Sequence, residues 1–241
     1  KEITVKCSIE GITYTISGMA KGSGMIHPNM ATMLCFLTTD WPLEANTLQC
    51  CLKEAVEQSF NAISVDGDTS TNDMCLLLAS KQLPKPDDKY LPIFQQGLQM
   101  VTGFLAKAIV LDGEGATKLL KITIKNAKDI PDAKLAAKAI AHSPLVKTAF
   151  FGEDANWGRI LCAVGYSGCR VDPDKTSLYL DDFMVVKNGQ KTALSDIELL
   201  PVMQKREIGI TVDLNLGCSD YTFQTTDLSY DYVKINGSYR S

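Results

Sequence analysis

Thr32 stands in the stretch Met30-Ala31-Thr32-Met33-Leu34, after a dense glycine-rich segment, Gly18-Met19-Ala20-Lys21-Gly22-Ser23-Gly24-Met25-Ile26-His27-Pro28-Asn29. A threonine hydroxyl attacks a carbonyl only when a base takes its proton, and one arrangement that needs no histidine makes the threonine N-terminal. Its own α-amine, with a pKa of about 8, is then the base. Such a terminus requires cleavage of the Ala31–Thr32 bond. A packed, strained glycine-rich loop can drive the hydroxyl onto the preceding carbonyl, giving an ester that water hydrolyses. On pattern alone the plainer reading is that Thr32 is a β-former at the start of a strand.

Other motifs carry less. Lys21-Gly22-Ser23-Gly24 has the order of a phosphate loop reversed, and no helix pattern follows it. Asp66-Gly67-Asp68-Thr69-Ser70-Thr71-Asn72-Asp73 resembles the start of a calcium loop, but Thr71 replaces the glycine at its sixth position and Leu77 the acid at its twelfth. No Gly-x-Ser-x-Gly occurs, and His27 and His142 give little material for a Ser-His-Asp triad. The eight cysteines form no CxxC pair, so no metal site is expected.

The elements that would position Thr32 can be read from periodicity. Residues 2–17 alternate polar and apolar around Glu10-Gly11, which predicts a hairpin. The segment from Gly18 to Asn29 is expected to be a tightly packed loop. The apolar run from Met33 to Thr39 predicts a buried central strand starting at Thr32. Helical spacing marks residues 43–60 and 89–110, and Pro131 sits near the start of a third helix reaching His142. A strand is expected at 119–125. The remainder reads mostly as strands, at 177–186, at 207–216 and at 230–235, with an Asn188-Gly189 turn. Interleaving without a βαβ rhythm predicts an α+β layered sandwich of mixed or antiparallel sheets and helices.

Composition sets the class. Among 241 residues, 45% are hydrophobic and 22% charged, so a folded core is expected rather than disorder. A net charge of −4 with scattered Lys and Arg offers nothing to neutralise phosphates, so nucleic acid is not expected as a partner. No apolar run approaches the roughly 20 residues needed to cross a bilayer, so no membrane is expected either. The cysteines, Cys50-Cys51 being adjacent, read as buried thiols, and a cytoplasmic protein is expected. Lys1-Glu2-Ile3-Thr4-Val5 begins inside an alternating pattern without an initiator methionine, as the later part of a longer chain would.

The run from Gly18 to Leu34, GMAKGSGMIHPNMATML, closely resembles the autoprocessing segment of the ornithine acetyltransferases (glutamate N-acetyltransferases). Three more stretches follow in the same order: SVDGDTSTND at 64–73, LDGEGATK at 111–118, and GEDANWGRI at 152–160, with a terminal KINGSYRS. The resemblance implies an N-terminal-nucleophile-like fold and an α/β chain pair cut before Thr32. Residues 1–31 would end the α chain. Residues 32–241 would be the β chain, with the nucleophile strand and a helical part to about 129, then a strand-rich part from 130 to 241. The oxyanion-hole Thr-Gly pair and one substrate-binding threonine would lie in a longer preceding portion of the α chain.

The same resemblance implies an acetyltransferase of the cyclic arginine biosynthesis pathway. Thr32 would take the acetyl group from N-acetylornithine as an ester, and glutamate would receive it, in a ping-pong sequence. Lys21, Glu114, Asn236 and Ser241 are implied to bind substrate alongside Thr32, no cofactor is expected, and whether acetyl-CoA serves as a second acetyl donor stays open. An α2β2 heterotetramer is the implied assembly. Asp66, Asp68, Asn72, Trp157 and Arg159 read as structural supports. Two other classes stay open here: a hydrolase with an N-terminal nucleophile, and a non-catalytic interaction protein that keeps the fold.

Overall fold

A computed structural model of the chain describes residues 1–26, 33–70 and 72–238. Ala31, Thr32 and Ser241, and the proposed strand start at Thr32, lie outside these. The chain forms two compact units, Lys1–Gly113 and Glu114–Ser241, and each is α+β as the sequence predicts.

In the first unit the hairpin forms as β1 (Glu2–Ile9) and β2 (Ile12–Lys21), in register from Glu2↔Met19 to Ile9↔Ile12. β2 therefore takes in Gly18–Lys21, which the sequence reading gave to a loop. The reason is packing, because a Cβ on Gly18 would stand 2.5 Å from Leu37 and 2.9 Å from Leu105 and Val101. Glycine there lets a helix lie directly on the strand. β3 (Leu34–Thr39) pairs with β2 antiparallel and with β5 (Met74–Ala79) in parallel, so the order is β1-β2-β3-β5 and β3 is central as expected, but it is buried on one face only, with Phe36 and Thr38 exposed. β5 was missed because its run Met74-Cys75-Leu76-Leu77-Leu78 has no polar alternation. A short strand, β4 (Ile63–Ser64), precedes the turn that leads to it.

The expected helices are α1 (Ala45–Glu57) and α2 (Leu91–Leu111). α2 lies against β1 and β2 and buries Phe94, Leu98, Val101, Leu105 and Ile109 completely. Each such side chain stabilises the fold by about 1.5–3 kcal/mol as an upper estimate. Trp41 joins that core, its ring 4.6 Å from Tyr14 and 5.4 Å from Phe94 between centroids.

In the second unit β6 (Leu119–Ala127) lies between β11 (Ser219–Thr226), antiparallel, and β10 (Glu207–Asp213), parallel. β7 (Ser177–Leu180), β8 (Phe183–Lys187) and β9 (Gln190–Lys191) continue the sheet beyond β10. α3 (Ile130–His142), the third helix expected, packs on β6 and β11 through Ala133, Ala136, Ala137 and Ile140. Three helices in the stretch read mostly as strands were missed: α4 (Pro144–Phe151), α5 (Trp157–Tyr166) and α6 (Asp196–Met203). Each starts at a capping side chain, from Ser143, Asn156 and Ser195. The strand expected at 230–235 is instead α7 (Tyr230–Ser238), because the Ser229 hydroxyl accepts the Tyr232 N–H at 3.2 Å and caps a helix there.

The cysteines depart from the expectation of burial. All eight are free thiols, but only Cys35 and Cys51 are buried, while Cys50, Cys162 and Cys218 are exposed.

Candidate functional site

The described residues on both sides of the 27–32 stretch are held by one motif, the segment 64–74. On the near side, the Asp66 carboxylate accepts the Met25 N–H at 2.6 Å and the Ile26 N–H at 3.0 Å. The Ser64 hydroxyl and the Val65 N–H both donate to the Ile26 carbonyl, each at 2.9 Å. On the far side, Asp73 Oδ1 accepts the Met33 N–H at 2.9 Å, and the Met74 N–H donates to the Met33 carbonyl at 3.0 Å. Hydrogen bonds from backbone amides to a carboxylate are stronger than neutral ones. Two aspartates thus fix the entry and exit of a six-residue segment.

Asp73 was given no role from sequence, although it closes the SVDGDTSTND motif. Its Oδ2 is shut off from solvent and has no hydrogen-bond partner. Burial pushes its carboxyl above the ordinary range, against the opposing Met33 N–H. A buried acceptor left unmatched costs free energy and asks for an explanation. No sequence signal marks it, because its role depends on β5 running beside β3. Asp66 is a clasp in line with the support read for it, and Asp68 donates its N–H to Asp66. The Asn72 N–H is held by the Ser70 hydroxyl.

Lys21 ends β2, exposed, with Leu34 as its register partner, so it lies beside the start of β3. It borders an open hollow of about 350 Å³ lined also by Lys1, Met19, Leu34 and Phe36. A lysine at such a rim can hold a carboxylate as a point charge.

In the second unit Glu114 and Asn236 meet. Asn236 Nδ2 donates to Glu114 Oε2 at 3.0 Å and to the Tyr232 carbonyl at 3.1 Å. The Tyr232 N–H is the one that Ser229 accepts, and the Ser229 hydroxyl donates to the Gly115 carbonyl at 2.6 Å. The result is a closed circuit running Glu114, Gly115, Ser229, Tyr232, Asn236 and back to Glu114. Gly115 has φ +65°, and a Cβ there would run into the backbone of Tyr232. Only glycine suits both conditions. Asp227, buried, ties down the next residues by accepting the N–H groups of Thr117 and Lys118, each at 2.9 Å, and the Thr117 hydroxyl.

Trp157 packs on the second unit's core, and Arg159 donates to the Leu145 carbonyl at 2.8 Å. Among the described residues no cluster of three or more His, Cys, Asp or Glu could hold a metal ion. No helix among them is long and apolar enough to cross a membrane.

The sequence matches the ArgJ family over residues 1–241. It is 48% identical over 245 residues to the arginine biosynthesis bifunctional protein ArgJ of Symbiobacterium thermophilum, covering 100% of this chain and 61% of that protein. The protein of the same name from Staphylococcus aureus is 49% identical over 245 residues, covering 100% of this chain and 59% of its own length. The chain thus spans about 60% of the length of these curated relatives. The crystal structure of arginine biosynthesis bifunctional protein ArgJ from Bacillus halodurans superposes with a TM-score of 0.81 at 39% identity, covering 85% of this chain and 98% of that one.

Proposed function

The chain belongs to the ArgJ family, and from that premise we propose that it forms part of an acetyltransferase of arginine biosynthesis that moves the acetyl group of N-acetylornithine to glutamate. The cycle begins once the Ala31–Thr32 bond has been cut by the chain's own Thr32. The freed α-amine takes the Thr32 hydroxyl proton, the oxygen attacks the acetyl carbonyl, and ornithine leaves carrying a proton. Glutamate's amine then attacks the acetyl ester, N-acetylglutamate departs, and the threonine oxygen regains its proton.

The observation that carries this reading is the grip on both flanks of residues 27–32 by Asp66 and Asp73. A segment fixed at both ends can store the strain that drives a hydroxyl onto the preceding carbonyl. A second observation supports the cut. The matched 85% of 241 residues is roughly 205, and as this is 98% of the Bacillus halodurans chain, that chain is roughly 209 residues long. The stretch Thr32 to Ser241 has nearly the same length.

In this proposal Lys21 holds the α-carboxylate common to both substrates, Glu114 pairs with the substrate amine, and Asn236 and Ser241 close over it. Residues 1–31 end the α chain, the assembly is an α2β2 heterotetramer, and the compartment is the cytoplasm. The word bifunctional in the relatives' name favours acetyl-CoA as a second donor to the same threonine. The test is transfer from N-acetylornithine to labelled glutamate by the full-length protein. Labelled N-acetylglutamate is expected, and release of free acetate alone would leave a hydrolase in its place.

A further inference from the structure

We propose that Ser229 is a positioning residue for substrate recognition. It holds Glu114 so that the carboxylate oxygen Oε1 meets the side-chain ammonium of the acetyl donor, a role that rests on the acetyltransferase reading above and deepens it.

Helix α7, which carries Asn236, buries none of its residues. Packing of an apolar face is what usually holds a helix on a fold, so the placement of α7 falls to a few directed contacts at its first turn. Ser229, just before it, is buried. A serine hydroxyl has one proton to give and lone pairs to accept with. Both are used: it donates to the Gly115 carbonyl at 2.6 Å and accepts the Tyr232 N–H at 3.2 Å. The Tyr230 ring adds an edge-on contact with Phe151, 5.4 Å between centroids. Gly115 leaves no room for a Cβ against the backbone of Asp231 and Tyr232, so a single hydroxyl joins loop and helix where they come closest.

That joint sets the geometry of the two residues beyond it. Asn236 Nδ2 donates to the Tyr232 carbonyl at 3.1 Å and to Glu114 Oε2 at 3.0 Å. A primary amide has two N–H donors, and both are thereby spent within the protein. Glu114 keeps Oε1, which has no partner among the described residues. A carboxylate held by one oxygen retains its charge and presents the other in a fixed direction, as a strong acceptor for a cation. N-acetylornithine has one group that suits it. The α-nitrogen of that donor is acetylated and neutral, whereas its δ-amine, like a lysine side chain, is an ammonium at neutral pH.

A residue that served only the fold would affect every acetyl donor alike. Ser229, acting through Glu114, should matter only to a donor that carries the ammonium. N-acetylnorvaline, which has the same carbon skeleton without the δ-amine, separates the two cases.

The experiment measures transfer to labelled glutamate from each donor by the full-length protein, wild type and Ser229→Ala. Wild type is expected to favour N-acetylornithine by about thirtyfold in kcat/KM. Ser229→Ala should bring that preference down about tenfold, through a higher KM for N-acetylornithine with kcat held, while kcat/KM for N-acetylnorvaline stays within about twofold. If Ser229→Ala does not fold, Ser229→Cys, whose thiol is a weak donor and a weak acceptor, is read in the same way. A wild type that transfers from neither donor would remove the functional reading and this inference with it. A wild type that uses both donors equally, or a Ser229 variant that keeps the wild-type preference or loses both donors by the same factor, would overturn this inference alone.

Discussion

Asn236 Nδ2 donates to Glu114 Oε2 across 3.0 Å, joining two residues 122 positions apart in the chain. Both sit at the ends of structures that Ser229 ties together, so neither is free to move without the other. Truncating either should therefore release the same constraint. Glu114→Ala and Asn236→Ala are each expected to lower kcat/KM for N-acetylornithine about tenfold. The double variant should lose much less than the product of the two factors. A double-mutant cycle on acetyl transfer measures this, and additive losses would mean that the contact has no part in activity.

Asp66 predicts the rate of cleavage. It accepts the N–H groups of Met25, Ile26 and Asp68, at the Met25–Ile26 end of the clasp. Asp66→Ala leaves Met25 and Ile26 without those acceptors and should slow self-cleavage about tenfold. Denaturing gels over a time course of freshly translated protein follow this. Cleavage at the wild-type rate would detach the clasp from the processing reaction.

Gly18 predicts stability rather than activity. A methyl group there meets Leu37, Val101 and Leu105 at once, in the interface of β2 with α2. Gly18→Ala should lower the stability of the fold by about 1–3 kcal/mol, read as a shift in the denaturant midpoint. An unchanged midpoint would show that those side chains swing aside without cost.

Thiol labelling probes the register of β3 with β5. Cys35 and Cys75 are register partners, and a hydrogen bond with the Cys75 thiol, together with burial, pushes the Cys35 thiol far above the ordinary cysteine range. A raised thiol pKa means less thiolate at any working pH, and the thiolate is the reactive form. At pH 8 the exposed Cys50, Cys162 and Cys218 should label quickly, while Cys35 labels only in denaturant. Fast modification of Cys35 in the folded protein would contradict the β3–β5 pairing.

How much of this was legible in the sequence differs by element. The β1–β2 hairpin, α1, α2 and α3 follow from period alone, because each buries one face. β5 did not, since a strand in a continuous apolar run carries no alternation to read. The 230–235 segment misled for the converse reason: Tyr232 and Lys234 offered a loose alternation, and the deciding signal was the single capping hydroxyl of Ser229. At the candidate site, the resemblance named Glu114 and Asn236, and the structure adds that they touch. Asp73 escaped because an aspartate at the end of a polar turn looks like any other. Its meaning appears only when β5 is seen to run beside β3, which no local pattern reports.

The measurement that bears most directly on the account is the intact mass of the full-length protein under denaturing conditions, before and after N-acetylornithine is added without glutamate. The account predicts a break between Ala31 and Thr32, and a fragment beginning at Thr32 that becomes heavier by one acetyl group, then returns to its first mass when glutamate follows. An unbroken chain that still transfers acetyl groups, or a fragment that never carries one, would contradict it.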